Sequence, residues 1–260
     1  MFELKAIITI WKREAIRYIR DRSRIFSTLF QPLMFLLIFG TGLRSALTPA
    51  NFGLDFLKFM YPGIIAMNVM GIAFFSTVST VWDREFGFLK EILVAPISRI
   101  SIVIGKILGA ITIASTQALL LLVLAPFIGI SLHLFIVIKL FFFMMLLAFA
   151  IAGMGLLIAS LMKSMESFGL FMQVLIFPMF FLSGAFFPLT SVPTWMTVLS
   201  RINPLTYGVD GMRQIVLNSQ IAPAVAQKIF LYPITFNIVI LLLFSLVMIS
   251  LASWAFNRRE

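Results

Sequence analysis

Six runs of predominantly apolar residues, at 25–43, 59–81, 107–130, 134–162, 167–187 and 229–256, leave this chain few folds to choose from. Each approaches or exceeds the roughly 20 residues that a helix needs to cross the hydrocarbon of a bilayer. Inside lipid every backbone N–H and C=O must find its partner within the protein, and a helix meets that demand by itself. The expected architecture is therefore all-α, a polytopic membrane protein with six transmembrane helices. Composition agrees: 61% of the 260 residues are hydrophobic and 12% charged, against about half and a quarter in soluble domains. No room remains for a sizeable soluble domain, so residues 1–260 read as one transmembrane unit. The fourth run exceeds a perpendicular span and is expected to tilt or to extend past the lipid.

Residues 1–24 are basic and amphipathic. Leu4, Ile7, Ile8, Trp11, Ala15 and Tyr18 recur at helical spacing, with Lys5, Lys12, Arg13, Arg17 and Arg20 between them. Such a helix lies in the membrane interface, apolar side chains among the acyl chains and basic ones on headgroup phosphates. The plainer alternative is a basic flank that only orients the first span. A secretory signal peptide does not fit, because the charged part is too long and a full-length apolar run follows it. An even number of spans puts both termini on one side. Fourteen Lys and Arg residues fall on that side, Arg84, Lys90, Arg99, Lys106 and Lys163 among them, against six opposite: Arg44, Lys58, Lys139, Arg201, Arg213 and Lys228. That excess puts both termini in the cytoplasm. It also accounts for the net charge of +10 without a nucleic-acid partner. The absence of cysteine excludes a disulfide framework and thiol chemistry.

Charge gathers once within the body of the chain, at 82–98, where Asp83, Arg84, Glu85, Lys90 and Glu91 stand between the second and third runs. On this orientation the island emerges into the cytoplasm. Phe86, Leu89 and Leu93 form one apolar stripe, and Glu85, Lys90 and Glu91 fall away from it. Pro96 disfavours helix at Ala95, so a short helix should stop there. A rigid amphipathic rod joined to two spans would move both when pushed.

The spans themselves hold almost no ionisable residue. Lys139, near the outer start of the fourth, can snorkel to the interface. Carriers driven by protons or sodium usually keep an acid or a histidine at mid-membrane, whereas His133 falls in a short outer turn. Gly105-Lys106 lacks the rest of a Walker loop, and no H-E-x-x-H pair occurs. The chain is expected to be either driven by another protein at the island or passive, a channel or facilitator; a membrane-embedded enzyme is a third and weaker reading. No metal or cofactor is expected on this chain.

The long outer segment, 188–228, holds two helix signals. Asn203 followed by Pro204 predicts an N-cap and first turn, with a helix over 204–217 that Asn218 could close. A shorter helix is expected over 191–199, with Pro193 and Trp195. Both could dip into the membrane and return, or lie flat as a cap. Ala148, Ala152, Gly155 and Ala159 line one side of the fourth run at a spacing suited to close helix packing, within the chain or against another subunit. Pro32, Pro62 and Pro178 are placed to kink spans or unwind a turn.

Two stretches carry a family resemblance that runs over essentially the whole chain. LKEILVAPIS (89–98) is similar to a cytoplasmic coupling segment. LSGAFFPL, from Leu182, leads after a spacer into INPLTYGVDGMRQ, where Pro204, Leu205, Tyr207 and Arg213 stand at the spacing of a signature. Both resemble the membrane subunit of type-2 ATP-binding-cassette exporters, the permeases for drugs, lipo-oligosaccharides and polysaccharides. The resemblance implies a homodimer, or a pair of related permeases, docked on two separate ATPase subunits that bind ATP and Mg, in a prokaryotic plasma membrane. Glu85, Gly87, Lys90, Glu91, Ala95 and Pro96 would then meet the ATPase, and the outer helices with the signature residues would close the exit. The first, second and fifth spans line the route in such permeases. They carry Phe35, Phe39, Phe74, Phe75, Phe180 and Phe181, which would suit an amphiphilic drug, a lipid or a lipid-linked glycan, though any of them could equally face lipid or fill the packing. Polar Gln31, Asn68 and Ser76 within spans are expected to face something other than lipid.

Overall fold

The computed structural model describes residues 2–42, 55–88, 94, 97–218 and 220–258. Among them the chain is all-helical, with no strand. The principal helices are α1 (Phe2–Arg20), α2 (Arg22–Gly42), α3 (Phe56–Ser76), α4 (Val78–Glu85), α5 (Arg99–Leu122) and α6 (Leu134–Leu161). They continue with α7 (Met165–Phe181), α8 (Thr194–Ile202), α9 (Pro204–Leu217), α10 (Pro223–Ile229) and α11 (Ile234–Arg258). Four stretches are long and apolar enough to cross a bilayer: Phe56–Glu85, Arg99–Leu122, Leu134–Leu161 and Pro223–Phe256. Two shorter apolar helices, Ile25–Ile38 and Met165–Phe181, correspond to the first and fifth runs.

Local signals start several helices. The Asp55 carboxylate accepts from Leu57 N at the head of α3, and the Ser98 hydroxyl accepts from Ser101 N at the head of α5. The Ser164 hydroxyl accepts from Ser167 N at the head of α7. These side chains take up donors that the first helical turn leaves without partners. Helix α3 is the centre of the bundle, buried at nearly every position from Phe59 to Phe74 and packed on α2, α5, α6 and α9. All four small residues of α6 are buried. A methyl group at Gly155 would lie 2.8 Å from the Thr77 hydroxyl and 3.0 Å from the Phe74 ring, so close packing within the chain accounts for that glycine.

Several expectations need correction. The amphipathic N-terminal helix stops at Arg20 rather than running through Arg24, because the Asp21 carbonyl accepts from Ile25 N and starts α2. The second span continues past residue 81, through a break at Thr77 and along α4 to Glu85. The third begins at Arg99 rather than at 107, since Ser98 caps it there, and it ends at Leu122, before a 3-10 turn at Ala125–Ile128 closed by Gly129 in the left-handed region (φ 72°). Lys106 is therefore inside a helix and buried. Residues 188–228 hold α8 and α9 as expected, though α8 is displaced to Thr194–Ile202, and α10 is an additional short helix. In helix α9, Pro204 to Arg213 are all buried, against α3, α6 and α11. The apolar stripe expected at Phe86, Leu89 and Leu93 lies largely outside the described residues.

Candidate functional site

Helices α2, α3 and α7 line a partly open cavity of about 160 Å³. Thr28, Gln31, Pro32 and Phe35 of α2 form one wall; Ile64, Met67, Asn68, Gly71, Ile72 and Phe75 of α3 form the second; Ile176 and Phe180 of α7 complete it. None of these side chains is ionisable, so a charged group entering here would lose its hydration without a counter-ion. Nothing lies within 4 Å of the position a Gly71 side chain would take, which leaves that part of the cavity open. The Asn68 amide nitrogen donates to the Thr28 carbonyl at 3.0 Å. A carbonyl can only accept, which fixes the amide orientation. The Asn68 Oδ1 is left without a hydrogen bond among the described residues. Drug-sized ligands fill pockets of roughly 300–1,000 Å³, so this space takes one ring or chain of such a molecule.

Five of the residues expected on the route, Gln31, Phe35, Asn68, Phe75 and Phe180, line this one cavity. Phe181 stands apart but is linked to it: its ring stacks on Phe186 at 5.5 Å between centroids, and Phe186 lies 6.0 Å from Phe35. Ser76 does not line the cavity; its hydroxyl donates to the Ile72 carbonyl at 2.7 Å and borders a small crevice with Glu14 and Arg17. Phe74 is fully buried and fills the packing of the bundle. The Phe39 side chain lies outside the described residues.

At the island end, the bundle holds charges that the sequence reading did not find. Lys106 of α5 donates to the Asp83 carboxylate of α4 at 2.7 Å and lies 3.6 Å from the Glu14 carboxylate of α1. Arg13 of α1 donates to the same Asp83 oxygen at 2.5 Å and to Glu14 at 3.1 Å. Asp83, Lys106 and Glu14 are all buried, two cations meet two anions, and the formal charges cancel. Burial by itself would lower the Arg13 pKa, but the Asp83 and Glu14 carboxylates outweigh it and raise the pKa. The expectation of a bundle almost without internal charge is thus wrong at this end. Capping Ser98 was the available signal, since a helix begun there carries Lys106 inward. Arg84 points elsewhere, donating to the carbonyls of Ala159, Ser160 and Met162 at 3.2, 3.0 and 2.7 Å at the C-terminus of α6.

Among the residues expected to meet an ATPase, the Glu85 carboxylate accepts from Met165 N at 3.1 Å. Gly87 has φ +81°, a conformation that L side chains rarely adopt, and it turns the chain out of α4. Beside it, Phe86 and Phe88 are exposed. Lys90, Glu91, Ala95 and Pro96 lie outside the described residues.

The signature residues Pro204, Leu205, Tyr207 and Arg213 all sit on α9 and are buried. Asn203 caps this helix through Leu205 N at 3.0 Å and donates to the Met179 carbonyl at 2.8 Å. The Tyr207 hydroxyl donates to the Arg201 carbonyl at 2.6 Å. Arg213 donates to the Gly184 carbonyl at 2.8 Å, and its guanidinium lies 3.9 Å from the centroid of the Phe59 ring. Asp210 was overlooked in sequence. Its carboxylate accepts from Leu231 N, Tyr232 N and the Asn237 amide at 2.9, 3.2 and 2.8 Å, holding the start of α11 onto α9.

The profile of the ABC-2 type transporter family matches residues 5–217. This chain belongs to that family. Among the relatives of this ABC-2 permease is the transport permease ycf38 of Cyanophora paradoxa, 32% identical over 215 residues, covering 82% of this chain and 74% of that one. Another is YbhR of Escherichia coli (strain K12), named as a multidrug ABC transporter permease, 33% identical over 174 residues. That match covers 64% of this chain and 46% of YbhR, so the ABC-2 permease aligns with about half of that relative's length. The inner membrane transport permease YadH of the same strain is 26% identical over 214 residues, covering 80% of this chain and 81% of that one. The ABC-2 permease is a multi-pass membrane protein and a transport subunit.

Proposed function

We propose that this permease is the membrane half of an ATP-driven exporter, energised by separate ABC ATPase subunits that carry ATP and Mg and dock at residues 85–96. Two permeases, identical or related, work with two ATPases, and both termini lie in the cytoplasm of a prokaryotic plasma membrane. The cargo is an amphiphile, in the class of drugs, lipids or lipid-linked glycans, which leaves the cytoplasm or the inner leaflet. The observation that carries this reading is the cavity between α2, α3 and α7. It is walled by Phe35, Phe75 and Phe180, with Asn68 at its edge, and family membership sets it in a transport subunit. Aromatic faces accept apolar rings and chains, and the exposed Gln31 amide on the same wall can orient a polar group without requiring charge.

The test is to co-express the permease with a candidate ABC ATPase, purify the complex, reconstitute it, and screen amphiphiles for stimulated ATP hydrolysis. Stimulation that weakens in Phe35→Ala and Asn68→Ala supports the reading. Failure to associate with an ATPase, or ion currents from the permease alone, would overturn it in favour of a passive channel.

A further inference from the structure

The contacts of α1 join the two ends of the island in a way that its interfacial character does not require. Before the island, Arg13 holds Asp83 at 2.5 Å, and the Arg17 guanidinium lies 4.2 Å from the centroid of the Trp82 ring, both partners belonging to α4. After the island, the Glu3 carboxylate accepts from Ser98 N at 3.0 Å, from the Ser98 hydroxyl at 2.9 Å and from the Ser101 hydroxyl at 2.5 Å. Glu3 and Arg13 are ten residues apart, about 15 Å along a helix, so one rigid element touches both feet of the loop.

Between those points α1 lies tightly on α5. A methyl group at Gly105 would meet the Ile10 side chain at 2.8 Å, and one at Gly109 would meet Glu14 Cβ at 2.7 Å. Backbones that close resist sliding past one another. The Lys106–Asp83 ion pair adds a direct tie between α4 and α5 beneath the helix.

We infer that α1 is a splint across the coupling segment, making the end of α4 and the start of α5 respond to the ATPase as one body. Without α1 the end of α4 and the start of α5 are tied only by the loop and the Lys106–Asp83 pair, and part of the stroke can then be lost between them. Bridged by α1, they turn together, and the displacement reaches α3, which lines the cavity. Glu3 and Arg13 are positioning residues in this scheme; neither needs to touch cargo or nucleotide. The inference rests on the reading of residues 85–96 as the ATPase contact.

The chain has no cysteine, so Gln31→Cys supplies a single thiol in the permease, on the cavity wall. In the complex with its ATPase, the rate at which a small maleimide labels that thiol is measured without nucleotide and with ATP plus vanadate. The ratio of the two rates reports coupling and needs no known cargo. With Glu3→Ala, Arg13→Met and their double variant, ATPase association and basal hydrolysis are expected to persist while the nucleotide-dependent ratio shrinks by about 2- to 30-fold. Arg13→Lys should restore part of it.

A second measurement separates a splint from a latch that opens in each cycle. Glu3→Cys with Ser98→Cys, cross-linked by mild oxidation, joins α1 to the foot of α5; here the reporter is an environment-sensitive dye attached at Gln31→Cys after oxidation, when the other two thiols are held in the disulfide. A splint leaves the nucleotide-driven dye response intact. Loss of that response on cross-linking, or an unchanged labelling ratio in all three uncoupling variants, would overturn the inference. If the permease with its native Glu3 and Arg13 never binds an ATPase, the reading of the island falls instead, and that outcome is recognised before any variant is made.

Discussion

Asp83 and Lys106 meet at 2.7 Å in the interior of a membrane protein, one at the end of α4 and the other in the second turn of α5. Each is buried, and Arg13 shares the same Asp83 oxygen at 2.5 Å. Removing Lys106 leaves Asp83 with only the partly exposed Arg13, and breaking a buried pair costs up to about 3–5 kcal/mol. Lys106→Met is therefore expected to lower the detergent-solubilised melting temperature markedly. Asp83→Asn combined with Lys106→Met should recover most of that loss, because Arg13 is partly exposed and tolerates the change. Thermal denaturation of the single and double variants decides the point; a single variant as stable as the parent would show that the pair contributes nothing.

Gly71 faces open space in the cavity. Gly71→Leu should fill that space without disturbing the helices around it, and leaving glycine gains up to about 1 kcal/mol of helix propensity. The expected signature is an unchanged or raised melting temperature together with lost stimulation of ATP hydrolysis by amphiphiles. A fall in stability with stimulation retained would contradict the cavity assignment.

Gly211 presents the opposite case. A methyl group there would lie 2.0 Å from the Phe143 ring, so α9 meets α6 with no space for a side chain. Gly211→Ala should destabilise by about 1–3 kcal/mol through overpacking, and Phe143→Leu in the same chain should relieve part of it. Melting temperatures of the two variants supply the check.

Hydrogen bonds from the Ser101 hydroxyl and from the Ser98 hydroxyl and amide hold the Glu3 pKa below its ordinary 4.5. A carboxylate with a depressed folded-state pKa contributes stability that is present above its ordinary pKa and lost as pH falls through the folded value. Attachment of the N-terminal part of α1 should thus be insensitive to pH from neutrality down to the ordinary carboxylate range, and should loosen below it. A nitroxide at Leu4→Cys, an exposed position, would report this as increased mobility in acid. Glu3→Gln should be mobile at every pH; a transition that survives this substitution would assign it to another group.

How far these features were legible in sequence depends on whether the deciding contact is local. Asn203-Pro204 announced α9 because the cap and the fixed proline act within the next two residues. The fourth run became α6 almost to the residue, since its apolar length leaves no competing signal. Lys106 was read as a loop cation because its counter-charges, Asp83 and Glu14, come from other helices, and no pattern near 106 reveals them. Polar residues inside spans were a fair guide to the cavity for Gln31 and Asn68, both of which line it, and the Asn68 amide bonds across to α2. The same rule failed for Ser76, whose hydroxyl bonds back to the carbonyl four residues earlier and needs no neighbour. Phe35 and Phe74 look alike in sequence, and only packing against α6 tells the buried ring from the one at the cavity.

The guanidinium of Arg84 seals the C-terminal carbonyls of α6, and this bears on the lipid as well as on the protein. A helix end tied off in this way does not fray, so α6 meets the membrane as a rod of 28 residues, about 42 Å, where the hydrocarbon is about 30 Å thick. The rod cannot shorten, so the difference is taken up by leaning over, by extending past the lipid or by stretching the surrounding bilayer. Bilayer thickness thereby becomes a mechanical input to this permease, and its working rate should respond to acyl-chain length.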